Sequence, residues 1–85
     1  LQSEELLMPE DRGREALLMG LRLAEGIDLN RISELSALPV EQLIDEEAVV
    51  RLAKLDLIER QDQLLRIRPA GMLLLDAVLP EIVRV

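Results

Sequence analysis

A mainly α-helical fold with one small β-hairpin follows from three observations on this sequence. Apolar residues recur at helical spacing over its first two thirds, in segments punctuated by Gly26 and Pro39. Two short runs, residues 57–61 and 64–68, flank Asp62-Gln63; in the second, Leu65 and Ile67 face one way and Arg66 and Arg68 the other. The return run then passes through a Pro69-Ala70-Gly71 corner into a strongly apolar stretch that reads as a closing helix.

Each element has a local reason. Residues 1–8 read as a flexible lead-in and residues 9–85 as one domain. Pro9 opens the first helix, since it has no N–H to lose there, and the carboxylates of Glu10 and Asp11 suit its positive end. The spacing predicts that helix over 9–25, with Leu17, Leu21 and Ala24 as its inner stripe, Leu18 beside them and Gly26 as the C′ residue. Gly20 inside it costs ~1 kcal/mol against alanine, which predicts close packing, expected against the final helix. Asp28 is the predicted N-cap of a second helix with Leu29, Ile32 and Leu35 inward, ending near Leu38 because Pro39 disfavours helical geometry before it. A third helix fits 40–55, with Ile44, Ala48, Leu52 and Leu55 on one side. The hairpin follows, turning at Asp62-Gln63. The last helix runs from Pro69 to about Leu79, where Pro80 should end or kink it. Three helices, a hairpin and a C-terminal helix form a winged-helix-like arrangement.

Composition bounds the chemistry. Eighty-five residues make one domain, and 49% hydrophobic with 32% charged residues is the balance of a chain that folds. Phe, Tyr and Trp are absent, so the core is aliphatic and no aromatic platform exists for stacking bases or flat rings. Cys and His are absent too, which excludes Fe–S ligation, thiolate or imidazole zinc sites, and Ser–His or Cys–His nucleophiles within this chain. The soft ligands are Met8, Met19 and Met72, and Met19 and Met72 are expected in the core. No catalytic, cofactor-binding or metal-binding residue is assigned. No apolar run reaches ~18 residues, so no membrane span is predicted, and the acidic start Leu1-Gln2-Ser3-Glu4-Glu5 is unlike a signal peptide. A chain beginning with Leu is expected to be a piece of a longer polypeptide.

The net charge of −7 is uneven: residues 1–47 hold 12 acids and 4 bases, residues 48–85 hold 5 acids and 6 bases. A DNA-binding winged helix would present its third helix to bases and phosphates, yet that helix carries Glu41, Asp45, Glu46 and Glu47 in its first half and only Arg51 and Lys54 later. Arg60, Arg66 and Arg68 on the hairpin are expected to pair with acids of the front half or with a protein partner, not with nucleic acid. Consecutive acids at 45–47 point in different directions on a helix and read as a solvated face rather than as general acids or bases. An acyl carrier protein would need an Asp-Ser-Leu setting, which neither Ser33 nor Ser36 has.

The blocks Gly20-Leu21-Arg22-Leu23-Ala24-Glu25-Gly26-Ile27-Asp28-Leu29, Leu57-Ile58-Glu59 and residues 64–79 resemble the C-terminal domain of the HemN/HemW group, the oxygen-independent coproporphyrinogen III oxidase-like radical-SAM proteins. The resemblance covers residues 8–83 and is closer to the HemW-like haem-chaperone branch. The chain departs from the family pattern in having Arg68 before the proline, Ala16 where an aromatic is frequent, and Asp62-Gln63 where the hairpin turn often has a glycine. The resemblance implies a cytoplasmic parent whose N-terminal barrel holds a [4Fe–4S] cluster and S-adenosylmethionine. It implies an accessory, non-catalytic domain that docks on that barrel and helps cover a porphyrin or haem. The cluster's cysteines have no counterpart in these residues, so no catalytic residue carries over. The other readings are a DNA-binding domain of a transcription regulator and a stand-alone protein-interaction module.

Overall fold

The computed structural model describes residues 8–85. Apart from Met8, the lead-in expected over residues 1–8 lies outside the described residues. The chain runs α1 (Pro9–Gly20), β1 (Ile27–Asp28), α2 (Leu29–Ser36), α3 (Val40–Leu43), α4 (Glu46–Lys54), β2 (Ile58–Gln61), β3 (Leu64–Ile67), α5 (Pro69–Met72) and α6 (Leu75–Ile82). The mainly helical, winged-helix-like class is as the sequence predicts, but the sheet is three-stranded and the helices are shorter and more numerous.

Helix α1 starts at Pro9; the Met8 N–H donates to Asp11 Oδ2 at 3.2 Å, satisfying a donor of the entering chain. It stops at Gly20 rather than Glu25, so Ala24 is exposed beyond its end and is not part of the stripe; Leu17 and Leu21 are buried. Gly26 therefore does not cap α1. It sits at φ +78° where a side chain would strike Leu65 O and Arg66, so it lets the chain turn flat against β3. The next two residues form β1, absent from the sequence reading, which pairs antiparallel with β3 in the register Ile27↔Leu65 and Asp28↔Leu64. Gly20 packs on Ile27, not on the final helix.

Asp28 caps α2 as predicted, accepting from the Asn30 N–H at 2.9 Å. The inner face is Leu29, Ile32 and Ser36, because Leu35 is 59% exposed. Ser36 is fully buried and donates its hydroxyl to Ile32 O at 2.8 Å, which removes the desolvation cost of a hydroxyl in the core.

The predicted third helix is two. At Ile44 the backbone is extended, bridging antiparallel to Val83, and the Asp45 N–H donates to Ile82 O at 2.8 Å. Helix α4 restarts behind Asp45, whose carboxylate accepts from the Glu47 and Ala48 N–H groups at 3.0 and 3.1 Å. Ile44, Ala48 and Leu52 are buried as expected, whereas Leu55 lies past the helix and is exposed.

Strands β2 and β3 pair from Ile58↔Ile67 to Gln61↔Leu64 around the Asp62-Gln63 turn, with Leu65 and Ile67 buried. Asp62 occupies the left-handed region at φ 55°. The final helix is also broken: α5 ends at Met72, and α6 runs through Pro80 to Ile82 instead of stopping there. Val78, Leu79 and Ile82 join Leu17, Leu29, Leu43, Val49, Leu52 and Ile58 in one aliphatic core. Met72 packs against that core, but Met19 is 68% exposed, contrary to expectation.

Candidate functional site

The hairpin arginines are engaged in ion pairs. Arg60 meets Glu46 of α4 at 2.7 Å and donates to Asp62 O at 2.5 Å; its side chain is 21% exposed, so it lies flat in the crease between helix and wing. Arg66 meets Glu59 across the β2–β3 pair at 2.6 Å, and Arg68 lies 3.4 Å from Asp56 and 3.9 Å from Glu59. Arg60 thus pairs with a front-half acid as expected, whereas Arg66 and Arg68 use acids of their own half. On α4, Arg51 pairs with Glu81 of α6 at 2.6 Å. A nucleic-acid face needs basic groups left available to phosphate. Here the wing and the helix beside it neutralise each other.

Between α4 and the wing lies an open groove of about 540 Å³, lined by Glu46, Val49, Val50, Ala53, Lys54, Arg60 and Asp62. Two charges of each sign stand around an aliphatic floor, so it favours no charged ligand class. A recess of about 490 Å³ gathers Glu41, Asp45, Glu46 and Glu47 with Arg84. Asp45 there is a helix cap rather than a free acid, and its neighbours Glu46 and Glu47 are exposed. Sequence reasoning treated Asp45 as part of a solvated acidic face; the Asp-Glu-Glu start of an apolar-periodic segment is the signal that marks it as a cap. Among the described residues, no group of three or more carboxylates is arranged to hold a metal ion.

The donor set does not fit an Fe–S cluster or haem iron. The chain has no Cys or His. Met8 and Met19 stand eleven residues apart along α1, about 16 Å at the helical rise, and Met72 packs against the core. Three thioethers so placed do not converge on one ion.

Among the described residues, the one titrating group clearly moved is Asp11, held below the usual carboxylate value of 3.8, first by its hydrogen bond from Arg14 and then by the Met8 N–H. Both interactions belong to the first turn of α1, so its role is structural.

A third surface feature is apolar. At the α5–α6 corner Leu73 is 87% and Leu74 52% exposed, beside a shallow opening of about 470 Å³ lined by residues 72–77. The sequence reading assigned these leucines to a continuous closing helix and did not single them out. The signal was present as four apolar residues in a row after the Pro-x-Gly corner, Met72 to Leu75, more than one helix face can bury.

No helix among the described residues is long and apolar enough to cross a membrane. The sequence model of a family described as the HemN C-terminal domain matches residues 7–74. Neither a curated protein nor a solved structure matches the chain.

Proposed function

The chain belongs to the HemN C-terminal domain family, and from that premise we propose that it is the non-catalytic accessory domain of an oxygen-independent coproporphyrinogen III oxidase-like radical-SAM protein. On this reading the [4Fe–4S] cluster and S-adenosylmethionine belong to an N-terminal barrel in the same polypeptide. This domain docks on that barrel, helps cover a porphyrin or haem, and works in the cytoplasm. We further propose the HemW-like haem-chaperone branch, on the Gly20–Leu29 and residue 64–79 blocks.

The observation that carries the reading is the family match over residues 7–74 in a chain whose side chains offer no cluster ligand and no nucleophile system. The engaged arginines of the wing support an intramolecular role over a nucleic-acid one.

The reading frame upstream tests the parent class. It is expected to encode a Cys-x-x-x-Cys-x-x-Cys motif; a frame opening just before Leu1 would sink the proposal. In the full-length protein, deletion of residues 9–85 should leave the cluster's visible absorbance in place and lower porphyrinogen turnover or haem transfer at least tenfold. Unchanged turnover and transfer after that deletion would refute an accessory role.

A further inference from the structure

We propose that the Leu73–Leu74 corner is the point of contact between this domain and the catalytic domain of its own polypeptide. The inference rests on the function proposed above and names the docking surface for it. Among the described residues, Leu73 is the most exposed large hydrophobic side chain, and Leu74 adjoins it.

The corner is rigid. Gly71 has no room for a Cβ, which would strike Leu57 O and lie 2.8 Å from Ile67 Cγ2, so α5 is seated directly on the backbone leading into β2. The Arg68 N–H is bound to Leu57 O at 2.9 Å. The Leu74 N–H donates to Gly71 O, and Leu74 O accepts from Ala77 and Val78, each at 2.9 Å. Two large apolar side chains are therefore held outward by a backbone that cannot fold them in, which is the preorganised state that lowers the ordering cost of binding. The α4–wing groove lacks this character, since Arg60 already bridges its walls to Glu46. The recess at 41–47 presents mainly acids.

The size of the corner selects the occupant. A stable dimer in free solution buries roughly 800 Å² on each partner, about one seventh of this chain's 5610 Å². Two leucines flanked by Met72, Leu75 and Ala77 fall well short of that. A domain tethered in the same polypeptide needs much less area, because the linker holds it at an effective concentration near the millimolar range. The corner suits a covalently attached partner presenting an apolar surface, and is too small for a second copy.

The test uses the full-length protein carrying Leu73→Glu and Leu74→Glu together. Cleavage of the interdomain segment by a dilute protease should accelerate at least fivefold and the radius of gyration should rise, while amide protection at Leu17 and Leu65 stays as in the wild type. Leu73→Met with Leu74→Met should leave both readouts near wild type. A photo-crosslinking residue at position 73 gives a second measurement that does not depend on the charged variant folding, and its adducts should map to the upstream domain of the same molecule. Unchanged cleavage with protection retained, adducts between molecules, or no adducts would each overturn the proposal. A parent lacking the cysteine motif would instead refute the function itself, so the two failures are distinguishable.

Discussion

Asp45 and Gly26 show how much single positions decide here. Asp45 satisfies two donors at the start of α4 and its N–H reaches Ile82 O, so it joins the helix start to the end of the chain. Asp45→Ala should lower unfolding stability by about 1 kcal/mol, with Asp45→Ser recovering most of it and Glu47→Ala changing it by less than about 0.5 kcal/mol. Urea titration of the three variants checks this; equal losses for Asp45 and Glu47 would restore the picture of a uniform acidic face. At Gly26 a methyl group meets both a positive φ and the Leu65 carbonyl. Gly26→Ala should cost about 3 kcal/mol, the sum of a left-handed conformation and overpacking. A loss below about 1 kcal/mol would mean that the loop relaxes away from β3.

Helix by helix, the inner face separates residues that look equivalent in sequence. Ile32→Ala in α2 should destabilise by about 2–4 kcal/mol through cavity formation, while Leu35→Ala, one turn on but exposed, should stay within about 0.5 kcal/mol. Thermal unfolding of the pair distinguishes the buried 29/32/36 face from the 29/32/35 face that hydrophobicity alone suggests. At the head of α1, Asp11 titrates below its ordinary value because Arg14 and the Met8 N–H hold its charged form. A depressed folded-state pKa contributes stability above the unfolded value of 3.8 and loses it as pH falls through the lower folded value. Asp11→Asn should therefore be less stable than wild type at pH 6, with the gap in melting temperature closing below pH 3.8; a gap that persists in acid would show that the charge is not its source.

The hairpin register and the Asp28 cap were legible because strand alternation and capping are local chemistry. The break at Ile44–Asp45 was not, since residues 40–55 keep a helical period throughout and the competing partner, Val83, lies far along the chain. A two-residue strand such as β1 leaves no period to read, and Ser36 looks like a surface residue until its hydroxyl finds Ile32 O. The exposed pair Leu73-Leu74 was hidden for the opposite reason: apolar residues are read as core unless a backbone break turns them out.

Taken whole, the molecule is acidic, with its wing cations committed to carboxylates. Titration with duplex DNA at 50 and 200 mM salt should show no binding that weakens steeply with salt, whereas a protein making 6–10 phosphate contacts loses roughly 10³–10⁵ in affinity over that range. Such a steep loss would revive the transcription-regulator reading. The family match ends at residue 74, yet Val78, Leu79 and Ile82 lie in the core and Val83 and Arg84 bond back to Ile44 and Leu43. The physical unit therefore outruns its family signature. During synthesis on a ribosome, the antiparallel bridge at Ile44 cannot form until Val83 has emerged from the exit tunnel. The core around Ile44 therefore closes late, only once residues 78–83 are free of the tunnel.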